Sequence, residues 1–229
     1  MPAPRTPGRL QPCLVVPAEA GRQPALLPAA TPARQQIHPR TLLPGRATTP
    51  RETEMIDAEF YKLLAAAKQE AAHLELRDEY TIADEMHGFC AWKNGSRIEW
   101  ADRDSWETPF HRCIADAVRR GLAVRRARVV SEPPTEYIQY EHYLTTGNIA
   151  AGEDVRWLPR RYSTDLLLPG NDFWLFDGQY LLVNHFSGDG RLLEMQIDER
   201  PDVIETCDAA FRAVWERAIP HHSYILPTR

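Results

Sequence analysis

Val155-Arg156-Trp157-Leu158-Pro159-Arg160-Arg161, then Pro169-Gly170-Asn171-Asp172-Phe173-Trp174-Leu175-Phe176-Asp177-Gly178, form the densest aromatic and charged block of the chain. They read as paired strands with a polar rim. Short apolar runs bounded by Pro, Gly and Asn are strand signals. Asp177-Gly178 is a hairpin turn, because a type I′ turn needs positive φ at both central positions. No standard nucleophile, metal or phosphate motif lies inside the block. It suits a site that holds something better than one that breaks bonds.

Toward the C-terminus, residues 179–186 and 191–197 extend this block into a three-stranded antiparallel meander, with Ser187-Gly188-Asp189-Gly190 as the second turn. A helix follows, capped by Asp198, with Pro201 tolerated in its first turn. Val203, Cys207, Ala210, Phe211, Val214 and Ala218 make its apolar face, and Pro220 stops it. Toward the N-terminus, residues 124–131 form a strand in which Arg126, Arg128 and Val130 alternate with Arg125, Ala127 and Val129. Pro133-Pro134 breaks it, and a helix opens at Pro134 or Thr135 and runs to about Thr145. With the strand at 155–158 this makes a βαβ unit, so the two strands are expected to be parallel. Phe60, Leu63, Leu64, Ala67, Ala71 and Leu74 recur at helical spacing and predict a helix from Asp57 to about Leu76. Asn94-Gly95 suggests a short hairpin, and a helix is expected from Asp104 or Ser105 to Gly121. The fold class is α+β: a mixed sheet of about five strands, a βαβ unit followed by the meander, covered by helices.

Residues 1–54 differ from the rest. They hold 11 of the 19 prolines, seven Arg, no Lys and no aromatic residue. Proline at that density blocks helix and sheet. They are read as a disordered Pro/Arg-rich extension, with residues 55–229 as a single α+β domain and Met55 as a candidate start of the native chain. A targeting peptide is disfavoured, because these prolines forbid its amphipathic helix. The net charge is −5; residues 1–54 carry +4, leaving −9 for the domain. Such acidity argues against direct nucleic-acid binding, which needs a basic surface. The four Cys show no paired spacing and read as reduced thiols of a cytoplasmic protein. No apolar run is long enough to span a bilayer.

Several motifs occur in order. They include His73-Leu74-Glu75-Leu76-Arg77-Asp78, Arg125 to Pro133, Glu153 to Arg161, Asn171 to Asp177, Asn184-His185-Phe186 and Ala218-Ile219-Pro220-His221. Through them, roughly residues 56–225 resemble an uncharacterised actinobacterial domain-of-unknown-function family, typified by the Trp-Leu-Pro-Arg and Asp-Phe-Trp-Leu-Phe-Asp pairing. The resemblance implies a companion of helix-turn-helix regulators. The element order is also distantly similar to the effector domain of antitoxin-like regulators, an associational warrant. No helix-turn-helix segment is present in the sequence itself.

Arg125, Arg126, Arg128, Arg156, Arg160 and Arg161 allow two readings. If neighbouring parallel strands bring Arg128 and Arg156 together, their guanidinium groups can grip a small anionic ligand at the strand ends. Alternatively they pair internally with Glu132, Glu153, Asp165, Asp172 or Asp177. The candidate ligand site is Arg128, Glu132, Arg156, Arg160, Asn171, Asp172 and His185. The aromatics between them are expected mainly in the core. No catalytic residue, metal or cofactor is assigned; His73 and Glu75, two apart on a helix, would not share a face. The first functional reading is a non-catalytic regulatory or sensor module acting through a helix-turn-helix or antitoxin-like partner, or through a small anionic ligand. The alternative is a hydrolase acting on a phosphate- or nucleotide-containing substrate, with Glu132, Asp172 or His185 as acid or base.

Overall fold

A computed structural model describes residues 50–227. Residues 1–49 of the expected disordered extension lie outside them, while residues 50–54 form the first turn of a helix. The elements run α1 (Pro50–Ala66), β1 (Glu70–Glu75), α2 (Ala83–Lys93), α3 (Pro109–Arg119), β2 (Ala123–Val130), α4 (Glu136–Ala150), β3 (Asp154–Pro159), β4 (Asp172–Phe176), β5 (Tyr180–Phe186), β6 (Leu192–Asp198), α5 (Pro201–Arg217) and β7 (Ile219–Pro220). The class is α+β, as expected, with a mixed sheet of seven strands in the order β6-β5-β4-β1-β2-β3-β7.

The sequence expectation missed β1 and β7. β1 is the middle strand, parallel to β2 and antiparallel to β4. Its Glu-Ala-Ala-His-Leu-Glu sequence favours helix, and the Ala71/Leu74 spacing continues the stripe of α1. Tertiary pairing overrides that preference. The Asp177 carboxylate accepts backbone hydrogen bonds from Lys68 (2.9 Å), Gln69 (2.8 Å) and Glu70 (3.0 Å), which stops α1 and aims the chain into the sheet. The expected Asp177-Gly178 turn has φ of 51° and 64°, the left-handed geometry of a type I′ turn. The supposed hairpin around Asn94-Gly95 is a correction: α2 runs up to Lys93 there, with Asn94 as its C-cap. The next helix starts later than expected, at Pro109, because Thr108 caps it. Thr135 caps α4, accepting from Ile138 N at 3.1 Å.

β2 and β3 are parallel across α4, as the βαβ reading required. Strand alternation gives the sheet two faces. On the back face, Ala72, Leu74, Ala127, Val129, Leu158 and Phe173 pack with Cys207, Phe211 and Val214 of α5. On the front face, Ala71, Val124, Trp174, Phe176 and Leu182 meet Phe60 and Leu64 of α1 and Ile114 of α3. That hydrocarbon covers only part of the front. The remainder lies under α2, α4 and the segment between α2 and α3, and carries the charged residues.

Candidate functional site

β1 and β2 each place two polar side chains on the front face. His73 and Glu75 project from β1, and Arg126 and Arg128 from β2, two positions apart in each case. The in-register pairs are His73 with Arg126 and Glu75 with Arg128. Neither guanidinium is free. Arg126 donates to Glu75 and, through Nε, to Glu153 at 2.8 Å. Arg128 pairs with Glu141 of α4. Its Nε lies 2.9 Å from Glu75 Oε2, close enough for an ion pair but out of line for a hydrogen bond. The result is a buried row, Glu153–Arg126–Glu75–Arg128–Glu141, of three carboxylates and two guanidiniums. Asn148 Nδ2 adds a 2.7 Å hydrogen bond to Glu153.

Electrostatics in the row follow from burial and pairing. Burial alone would raise the Glu75 carboxyl, but Arg128 and Arg126 outweigh it and hold it at about 2. Burial, then Arg126, push His73 well below its usual range, so the imidazole is neutral. His73 Nδ1 is 3.5 Å from Glu75 Oε1; with a neutral ring and no hydrogen-bond alignment, this is not an ion pair. The ring stacks on Trp174, centroids 4.1 Å apart. Arg126 lies over Phe110 and Trp174, and Arg128 over Trp157.

Above this row is a cavity of about 530 Å³. Its floor is His73, Glu75, Arg126, Arg128, Asp172, Trp174 and Asn184. Its walls are aromatic: Tyr80 and Phe186 at one end, Tyr137 and Tyr140 from α4, Trp100 and Trp106 from the segment before α3, and Phe110 and His111 from α3. Two further carboxylates border it. Asp172 accepts from Tyr80 OH (2.5 Å) and Leu76 N (2.9 Å), and Glu85 accepts from Tyr137 OH. Burial is the main cause that raises Asp172 to about 6 and Glu85 to about 7. Neither has an ion-pair partner among the described residues. Three residues that border the cavity also carry buried polar atoms without a hydrogen-bond partner: both His73 ring nitrogens, Asn184 Oδ1 and Trp106 Nε1. Buried polar atoms are rarely left so.

The structure separates the residues expected to form the site. Arg128 and Asp172 border the cavity. Arg156 does not: it is in register with Ala127, while Arg128 faces Trp157. Arg156 therefore points to the back face and stacks on Trp215, 4.1 Å from the ring centroid. The expected convergence of Arg128 and Arg156 is thus corrected by a one-residue register difference. Arg160 donates to the carbonyls of Leu76 (2.7 Å) and Val129 (2.8 Å) and contacts Asp78, tying strand ends together. Glu132 pairs with Arg161 at 3.0 Å. His185 is in contact with Gln196 across β5 and β6, on the opposite side from Asn184. Asn171 borders a smaller recess with Arg77 and Arg160. Internal pairing is what the arginines do, but the partners of Arg126 and Arg128 include Glu75 and Glu141, which the sequence reading did not nominate. His73 and Glu75 share a face after all, because a strand, unlike a helix, puts residues two apart together. The alternation Arg126-Arg128 against His73-Glu75 was the signal that would have found the row, had β1 been read as a strand.

Among the described residues there is no group of three or more His, Cys, Asp or Glu placed to hold a metal. Cys90, Cys113 and Cys207 are free thiols. No helix of the described residues is long and apolar enough to cross a membrane.

Fold and site together define an α+β domain with a mixed sheet, one face of which floors an aromatic cavity over a buried ion-pair row. The chain belongs to the domain of unknown function family DUF6879, whose model matches residues 58–226. The resemblance seen in the sequence is thereby supported at the level of an uncharacterised domain family. No curated protein matches the chain. Among solved structures it is similar to TrmBL2, an archaeal chromatin protein described as showing a novel mode of DNA binding, at 12% identity and TM-score 0.38, over 70% of this chain and 48% of that one. It is also similar to Nuc from Salmonella typhimurium, a phospholipase D family member, at 11% identity and TM-score 0.41, over 72% and 89% of the two chains. NucT from Helicobacter pylori matches at 10% identity and TM-score 0.44, over 75% and 94%. The chain spans about half the length of the first of these. Likenesses this distant carry no functional argument. The partner expectation is corrected only this far: the exclusion of direct nucleic-acid contact rested on net charge alone and does not stand beside a similar chain described by its DNA binding, a likeness that says nothing of what this chain binds. None of the three is described as a helix-turn-helix companion or an antitoxin.

Proposed function

We propose that the domain is a non-catalytic sensor or binding module that takes a small molecule into the front-face cavity. The observation that carries this is a set of lining residues that hold partnerless buried atoms: His73 (Nδ1 and Nε2), Asn184 (Oδ1) and Trp106 (Nε1). Each costs on the order of 1–3 kcal/mol when left unsatisfied, and a ligand presenting donors and acceptors removes that cost. The volume of about 530 Å³ falls in the range of small-molecule sites, and the aromatic walls supply apolar contact. Reading the arginines as an anion grip is set aside, since Arg126 and Arg128 are neutralised by Glu75, Glu153 and Glu141. The hydrolytic reading takes Glu132, Asp172 or His185 as acid or base beside free arginines; only Asp172 of the three borders the cavity, and the two arginines there are already paired.

A thermal-shift screen of flat fragments, cationic, neutral and anionic, tests the reading. The comparison protein is Ser105→Trp, whose new ring would fill the cavity mouth from an exposed position. At least one fragment should raise the Tm of the unaltered chain and leave Ser105→Trp unmoved. A screen in which no fragment separates the two proteins sinks the reading.

A further inference from the structure

We infer, resting on the cavity-binding reading above, that the ligand is an organic cation: a protonated amine or guanidinium on a flat, apolar body. Four carboxylates border the cavity, Glu75, Glu85, Glu141 and Asp172, against two guanidiniums, Arg126 and Arg128. Both guanidiniums are already committed. Glu75 is shared between them, and each holds one further carboxylate of its own, Glu153 and Glu141. Glu85 and Asp172 remain, each held only by neutral donors: Tyr137 OH for the first, Tyr80 OH and Leu76 N for the second. An ionised carboxylate in a partly dry site is costly without an opposite charge. The cavity therefore lacks a cation, and an anion entering it would meet an acidic excess.

A second, independent observation points to a ligand. The His73 side chain is 8% exposed, borders the cavity, and neither ring nitrogen has a partner. Being neutral, it offers one donor and one acceptor. Asn184 Oδ1, also buried and partnerless, adds an acceptor suited to an N–H group. The walls complete the chemistry. Trp100, Trp106, Tyr137 and Tyr140 line it with aromatic rings, whose faces attract organic cations. Aromatic rings with spare carboxylates recognise ammonium and guanidinium groups, and they discriminate against phosphate and carboxylate by the same field.

Isothermal titration of the full chain with three compounds on one indole body tests this: tryptamine (ammonium), indole-3-ethanol (neutral) and indole-3-acetate (carboxylate). Tryptamine should bind about ten-fold or more tightly than indole-3-ethanol, a difference of about 1.4 kcal/mol, and indole-3-acetate least. The preference should collapse in the Glu85→Gln/Asp172→Asn double variant. If that variant does not fold, Glu85→Gln alone serves, since Glu85 is only half-buried on α2. Equal or tighter binding of the neutral or acidic compound overturns the inference and leaves the cavity reading standing, because those compounds still bind. A tryptamine preference that survives the substitutions also overturns it, since the two carboxylates are then not the recognition groups. If none of the three binds, the cation class fails, and the thermal-shift screen decides separately whether the cavity binds anything.

Discussion

Glu75 is the residue on which the charged row depends. It touches both Arg126 and Arg128, so its loss leaves two buried guanidiniums with one carboxylate each. Each guanidinium keeps a carboxylate, so no charge is left bare; what is lost is the contact of Glu75 with two charged groups, worth about 1.5–3 kcal/mol for a hydrogen bond to a charged group. Glu75→Gln is expected to lose that much in a urea melt at pH 7. Its acid limb has a definite sign. The folded carboxyl is held at about 2 against an ordinary 4.5, so its stabilisation is present above pH 4.5 and is lost as pH falls toward 2. Glu85 and Asp172 behave oppositely. Their folded values of about 7 and 6 lie above the ordinary ones, so the folded state holds protons that the unfolded chain releases. They stabilise at low pH, and that contribution disappears as pH rises through 4.5 to 7 for Glu85 and 3.8 to 6 for Asp172. Glu85→Gln should therefore match the unaltered protein in Tm at pH 4 and exceed it at pH 8. An equal or lower Tm at pH 8 would show that Glu85 already has a cationic partner in the free protein.

At the scale of elements, the Asp177 carboxylate decides where α1 ends and β1 begins. Asp177→Ala removes three backbone hydrogen bonds to a charged acceptor and leaves a non-glycine residue at φ 51°. A loss of about 2–4 kcal/mol is expected from equilibrium denaturation. Asp177→Asn, which keeps the turn preference and one acceptor oxygen, should lose less. The same contact explains what was legible in the sequence. The meander, the βαβ pair and α5 could be read locally, because their turns, proline stops and apolar spacing all agree with the fold. β1 could not, since Ala71, Ala72 and Leu74 fit a helix as well as a strand, and the residue that settles the matter lies more than a hundred positions away. The site was lost with it. Arg126 and Arg128 are visible in the sequence as an alternating cationic strand, but the helical spacing puts their acid partner Glu75 on a helix face that does not exist. Arg156 was placed beside Arg128 because pairing direction was legible and register was not: only the observed match of Arg128 with Trp157 sends Arg156 to the back.

Across the whole molecule, stability is unevenly spread, and the unevenness coincides with the cavity. β1, β2 and β4 sit mid-sheet, with α5 packed behind and α1 and α3 in front. The cap over the cavity is different. From residue 81 to 113 no described residue is fully buried, although this stretch supplies Glu85, Trp100, Trp106 and His111 to the walls. Segments with few buried apolar contacts open locally, at a free energy far below that of global unfolding. Amide hydrogen exchange should reflect this. Amides of 72–74 and 126–129 should exchange only with global unfolding, while those of 94–108 should exchange by local opening, orders of magnitude faster. A ligand that bridges the charged floor and the aromatic cap binds the closed form alone, so it must slow exchange in 94–108 by the factor 1 + [L]/Kd while leaving the sheet amides governed by global stability. With tryptamine at about a hundred times its Kd, the slowing should be about a hundred-fold. Protection confined to the outer strands β5 and β6 would place the compound elsewhere, and unchanged exchange in 94–108 despite binding would mean that the cap takes no part in holding it.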